Sequence, residues 1–173
     1  MSSPPLEPTE VASLLPATVA LLRAELVALP ERVLAWHPAG GEWCVKEVIG
    51  HLIEAERRGF AGRIRIILGA DTPALERWDP PVVAAARQDC VKPAAALLAE
   101  LAALREESAR LVGRLMAADL ERAGRHPTVG LLRVGDLLQE WVHHDRNHVR
   151  QALANVQAYV WPAMGNAQKF ARE

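Results

Sequence analysis

Four long stretches of this chain repeat apolar residues at helical spacing, and prolines and glycines separate them. From Glu10 to Leu29 the residues Val11, Leu14, Leu15, Val19, Leu21, Leu22, Leu26 and Leu29 line one side of a helix. Pro16 predicts a kink or the first turn of its main part, and Pro30 ends it. A second helix is expected from about Val45 to Leu68, through Ile49, Leu52, Ala55, Phe60, Ile64 and Ile67, with Gly69 as its stop. Cys44-Val45-Lys46-Glu47 has the spacing of a capping box, with Cys in the place of Ser and therefore a weak cap. The third helix spans about Lys92 to Met116 on Leu97, Leu98, Leu101, Leu104, Leu111 and Leu115, and the fourth about Val134 to Val156, closed by Trp161-Pro162. Between them lie a loop at 38–42, a proline-rich connection from Asp71 with a short helical turn at 81–88, and a loop over Ala123 to Gly130. Four long helices predict an all-α four-helix bundle, and the length between helices two and three predicts a crossover there. One domain over 1–173 is expected, with its core at about 10–157, a frayed N-terminus up to about Pro8 and a C-terminal tail from Gly165.

Composition narrows the partners. Hydrophobic residues make up 50% and charged residues 24%, so the chain can bury an ordinary core. The formal net charge of −1 argues against a basic face and against nucleic acid as a partner. No apolar run is long enough for a membrane span, and the first residues lack the pattern of a signal peptide. Cys44 and Cys90 have no metal or redox spacing, so the expectation is a cytoplasmic protein with reduced, inert thiols.

Histidines carry the chemistry. His144 and His148 are four residues apart on the fourth helix and so stack on one face. Leu137, Trp141, His144, His148, Gln151 and Ala152 share one stripe, which turns both imidazoles toward the core. A buried imidazole needs a partner, and one metal ion would serve both. His51, between Val48 and Leu52 on the second helix, borders a core stripe of its own. If the helices bring it against the pair, the set has the composition of an open, catalytic zinc-type site. The alternative for any one of these residues is a core histidine bonded to a backbone carbonyl.

Trp43-Cys44-x-x-Glu47-x-x-x-His51-Leu52-x-Glu54-x-Glu56 resembles the start of the second helix in the DinB-like superfamily, where Trp-Ser precedes the helix. His126-Pro127-x-x-Gly130, followed by His144-Asp145-x-x-His148-x-x-Gln151, resembles that family's second motif. The resemblance covers about residues 10–157. It implies a bundle in which His51, His144 and His148 bind a divalent transition metal, zinc or nickel foremost, and a homodimer. It also implies thiol-dependent transfer or isomerisation with a low-molecular-weight thiol, since characterised members are largely of that kind. Two positions depart from the pattern: Cys44 replaces Ser, and Arg133 stands where Ser or Thr commonly starts the helix. A related branch, which includes mycothiol-dependent isomerases, carries Glu at the position of His144.

The remaining polar residues have two readings each. Glu54 and Gln151 are candidates to hold or orient metal ligands, or else a solvated face and core packing. Glu140 and Asp145 are similar cases, and His143 points away toward solvent or the rim. Arg57, Arg58, Arg63 and Arg65 form either a solvated face or a grip for a carboxylate-bearing thiol. The expected function is thiol S-transfer at the metal, onto a small electrophile. The alternatives are a metal-dependent hydrolase and a non-catalytic metal-binding, stress-response bundle.

Overall fold

Helix α1 spans Pro8–Leu26 and buries Val11, Leu15, Val19, Leu22 and Leu26 along one stripe. The structure, a computed structural model, describes residues 4–172; the expected fraying of residues 1–3 lies outside them, as does Glu173. Leu6 and Glu7 each make backbone-to-side-chain hydrogen bonds. Leu6 exchanges two 3.0 Å hydrogen bonds with the Gln139 side chain, giving its N–H to Oε1 and accepting from Nε2. Pro16 sits on the exposed side of α1, and the helix runs through it. A short helix, α2 (Glu31–Leu34), follows.

The second long helix is broken. It begins as α3 (Val45–Glu54), where the Cys44 N–H donates to Glu47 Oε2 at 2.8 Å and closes the predicted cap. Residues Ala55–Gly59 then form a π-turn, with the Phe60 N–H reaching Ala55 O at 2.8 Å, and α4 resumes over Ala61–Gly69. The wide turn re-phases the apolar stripe, so that Phe60, Ala61, Ile64 and Ile67 are buried as Ile49 and Leu52 are. Gly62 permits the break: a Cβ there would lie 1.9 Å from the Arg57 carbonyl oxygen. Periodicity alone misses such a turn; Gly59 and Gly62 on either side of Phe60 were its signal.

The crossover holds α5 (Pro80–Arg87), started by Asp79 and ended by Gln88 at φ 52°, then a 3₁₀ turn at Asp89–Val91. Helix α6 (Ala94–Val112) and the short α7 (Ala117–Leu120) come next. The expected loop at 123–130 is instead part of a hairpin. Strand β1 (Ala123–His126) pairs antiparallel with β2 (Gly130–Arg133), His126 opposite Gly130, whose φ of 77° makes the turn. Leu75 and Pro73 of the crossover bond to Arg125, which lays the connection along this hairpin. The last helix, α8, covers Val134–Val160, one turn longer than expected, and short 3₁₀ turns kinked at Gly165 follow to Arg172.

Two apolar clusters give the direction of each helix. One joins Val19, Leu22 and Leu26 to Val45–Ile53, Ala94–Leu101, Val149 and Ala152. The other joins Val11 and Leu15 to Ala55–Ile67, Val112 and Val134–Trp141. Hence α1 and α8 run one way and α3–α4 and α6 the other, in up-down-down-up order. The expected crossover between helices two and three is therefore present: parallel neighbours need a connection that returns along the bundle. No helix among the described residues is long and apolar enough to cross a membrane.

A buried ion cluster and a disulfide brace the frame. Arg105 forks onto Asp145 with bonds of 2.7 and 2.8 Å, and its Nε lies 3.0 Å from Glu56 Oε2; all three residues are 1–2% exposed. Asp145 is thus a buried partner of Arg105 and not a surface pair. Burial pushes the Glu56 carboxyl up to about 7, against the pull of Arg105. Cys44 and Cys90, expected to be reduced and inert, are joined in a disulfide across 46 residues. The sequence spacing hid this, because only the returning crossover brings residue 90 back to the start of α3.

Candidate metal centre

The broken second helix and α8 face each other where the two apolar clusters meet, and there the histidines converge. His51 Nε2 lies 2.9 Å from His144 Nε2. Ring centroids are 4.4 Å apart for His51–His148 and for His144–His148, and 5.0 Å for His51–His144. One donor atom from each histidine lies within 4.8 Å of the others. His51 is 8% exposed, whereas His144 and His148 are partly open to solvent.

Aromatic walls hold the rings. Trp43 packs on His51 at 4.9 Å and reaches His148 at 6.4 Å; Trp78, from the crossover, stacks on His51 at 5.6 Å. Asn155 pins Trp43 by donating to its carbonyl at 2.8 Å. Phe60, turned inward by the π-turn, stacks on Trp141 at 5.0 Å and meets the His144 ring at 5.1 Å. Of these walls, Trp78 and Phe60 escaped the sequence reading. Trp78 sits in a proline-rich connection and Phe60 in a stripe read as ordinary core.

Burial decides the charge state. It pushes His51 down to about 3, helped by the His148 ring. His144 also falls to about 3 by burial, reinforced by His148, His51 and Arg105. His148 is lowered by burial, against the Gln151 hydrogen bond and Asp145. All three are neutral near pH 7, the state in which imidazole binds metal. His148 Nδ1 meets Gln151 Oε1 at 2.8 Å. An amide oxygen only accepts, so the proton is on Nδ1 and Nε2 keeps its lone pair. The Nδ1 atoms of His51 and His144 are buried with no partner.

These residues fit a transition metal. Ligand nitrogens around a tetrahedral ion at 2.0–2.1 Å are roughly 3.3 Å apart. The 2.9 Å His51–His144 contact needs only a small parting of the rings to reach that edge. Imidazole donors suit Zn, Ni, Cu or Fe rather than Mg or Ca.

Other candidates fall elsewhere. Glu54 is buried, and its carboxylate accepts from Arg57, Arg58 and Arg87 at 3.3, 2.6 and 2.7 Å. It anchors the crossover rather than a ligand. His143 is exposed and bonds Asn147 at 3.2 Å, and Glu140 is exposed. Arg57, Arg58 and Arg63 line a cleft with Gly62 and Ile66 that shares the Trp78 wall with His51. Arg63 donates to His126 Nε2 at 3.1 Å, a contact the loop position of His126 did not suggest.

Residues 14–152 match the profile of the DinB superfamily, and the chain belongs to that superfamily. A protein of Oceanobacillus iheyensis is 24% identical over 75% of this chain and 74% of its own length. One from Bacillus licheniformis is 27% identical over 82% and 80%. Both are named, provisionally, as metal-dependent hydrolases. YfiT from Bacillus subtilis, described as a probable metal-dependent hydrolase with an unusual four-helix bundle topology, superposes with a TM-score of 0.82. That match covers 93% of this chain and 94% of YfiT at 19% identity, and so speaks for the fold.

Proposed function

We propose that this protein is a divalent-metal-dependent enzyme, with His51, His144 and His148 holding one transition-metal ion, and that it catalyses hydrolysis of a small substrate. The observation that carries the reading is the convergence of three neutral imidazoles at a partly open face. The names of the two relatives support hydrolysis in particular. A bound ion supplies Lewis acidity, which ionises a water or a thiol near neutral pH. The protein's own groups prepare that centre. Trp43 and Trp78 pack on the His51 ring, and Phe60 meets the His144 ring edge-on. Gln151 holds the proton on His148 Nδ1 and so aims the other nitrogen.

Thiol S-transfer is the second reading, favoured by the arginine cleft against Trp78. A low-molecular-weight thiol carrying carboxylates would dock its anionic groups there. Any such thiol is external, because Cys44 and Cys90 are paired with each other.

The test begins with metal content after purification, for the wild type and for His51→Ala, His144→Ala, His148→Ala and His143→Ala. About one equivalent is expected in the wild type and in His143→Ala, with loss in the other three. A full equivalent in His148→Ala would refute the ligand set. The loaded protein is then offered activated esters and amides, and separately an electrophile such as a bimane with glutathione, mycothiol or bacillithiol. Turnover of the esters or amides above the His144→Ala background supports hydrolysis, and thiol-dependent turnover supports transfer. No turnover in either panel, with metal bound, would leave a non-catalytic metal-binding bundle.

A further inference from the structure

A second donor cluster stands at the start of α3, apart from the three histidines. His37, Cys44, Glu47 and Cys90 each place one donor atom within 4.8 Å of the others. His37 Nε2 lies 3.0 Å from Glu47 Oε2 and 3.6 Å from Cys90 Sγ. For an ion with Zn–S near 2.3 Å and Zn–N near 2.0 Å, the tetrahedral N···S edge is roughly 3.5 Å. Cys44 and Cys90 form a disulfide, with Cα atoms 6.9 Å apart. That separation leaves room for the sulfurs, once reduced, to part to the roughly 3.7 Å edge of a tetrahedral thiolate pair.

The surroundings hold Cys44, Glu47 and Cys90 in place, while His37 closes the cluster from its exposed side. Cys44 is the cap residue of α3, and its N–H holds the Glu47 carboxylate at 2.8 Å. Lys46, 4% exposed, reaches across to the carbonyls of Cys90 and Lys92 at 3.1 and 2.9 Å and also pairs with Glu31. Asp89, 1% exposed, is clamped by Arg87 and Lys92 beside Gly50. The turn that carries Cys90 is therefore locked to the helix that carries Cys44. Two thiolates, an imidazole and a carboxylate form a closed set suited to zinc, with no position left for substrate. Cys44 precedes His51 by seven residues, about 10 Å of helical rise, so the two clusters cannot share an ion.

We propose that His37, Cys44, Glu47 and Cys90 form a second, redox-gated zinc site, which exchanges a disulfide for a bound ion and fastens the crossover to the helix that carries His51. An external dithiol supplies the reduction. Two electrons and two protons pass to the Cys44–Cys90 disulfide, the dithiol becomes a disulfide, and two cysteine thiols result. Zinc then displaces the two thiol protons to solvent and takes His37 Nε2 and the Glu47 carboxylate as its other ligands.

The test is zinc titration of metal-free, full-length protein against a chromophoric chelator, reduced with a phosphine and after reoxidation. Two equivalents are expected when reduced and one when oxidised. Cys90→Ser binds one in either state. The His51→Ala/His148→Ala double variant binds one when reduced and none when oxidised, so this site stands or falls separately from the three-histidine centre. Cobalt in the reduced wild type gives a thiolate-to-metal charge-transfer band, absent from Cys90→Ser. Zinc should also slow alkylation of the reduced wild-type thiols at least tenfold, a readout that needs no variant. Equal zinc stoichiometry in the reduced and oxidised protein, no thiolate–cobalt band, or alkylation indifferent to zinc would each overturn the proposal.

Discussion

Lowering the pH from 7 to 5 without metal asks the His51–His144 pair to accept protons in a place built to exclude charge. The His51 pKa is about 3 in the folded chain against an ordinary 6.5, and burial is the largest cause. Because the folded value is depressed, the native state binds fewer protons than the unfolded chain between those values. The stability tied to neutral His51 is complete above about pH 6.5 and is lost as the pH falls toward 3. At pH 5 the solution is 1.5 units below the unfolded value, and each unit is about 1.36 kcal/mol, so His51 removes about 2 kcal/mol between pH 7 and 5. Glu56 titrates in the same window with the opposite sign. Its folded pKa is raised to about 7 from 4.5, so its contribution is present below 4.5 and lost as pH rises through 7. Comparing wild type with His51→Gln removes the Glu56 effect, which both proteins share. The assay is urea unfolding with chelator at pH 7 and pH 5. The drop in unfolding free energy should be about 2 kcal/mol smaller in His51→Gln than in wild type. Equal drops within about 0.5 kcal/mol, the spread expected of independent sites, would mean that His51 is not held neutral by burial.

Gln151→Leu removes the acceptor at His148 Nδ1 and should weaken zinc affinity about 10- to 100-fold by chelator competition, with the helical circular-dichroism signal unchanged. Arg105→Met leaves the Asp145 carboxylate buried without its fork and should destabilise by about 3–5 kcal/mol in urea; adding Asp145→Leu should recover part of that loss. Gly50→Ala drives a Cβ to 1.7 Å from Asp89 Oδ2 and should destabilise by about 1–3 kcal/mol, read as a lower denaturation midpoint. The homodimer implied by the family resemblance should give twice the 18.9 kDa chain mass by light scattering, and a single-chain mass would reject it.

The four-helix plan was written locally, in leucine and alanine stripes whose spacing needs no partner to be read. His144 and His148 were legible for the same reason: residues four apart on a helix must stack, and Trp141 one turn earlier points the stripe inward. Gln151, three residues past His148, bonds its ring through the same helical geometry. The crossover could be anticipated from the length of the connection, because a short loop cannot return along a bundle.

What escaped depended on contacts between distant segments or on balances within a single turn. The π-turn at Ala55–Gly59 needs one wide turn to outweigh a regular hydrogen-bond ladder, and the apolar spacing on either side reads as helix in both cases. The hairpin at Ala123–Arg133 has strands too short for an alternating pattern, and it forms against Pro73 and Leu75 of the crossover. Glu54 looked like a support for a histidine one turn away, but Arg87, far along the chain, claims its carboxylate. Cys44 and Cys90, with His37 and Glu47, had no sequence spacing to betray them. Local sequence sets which face of each helix is apolar, whereas only the path of the crossover decides which polar groups from remote segments meet on the other faces.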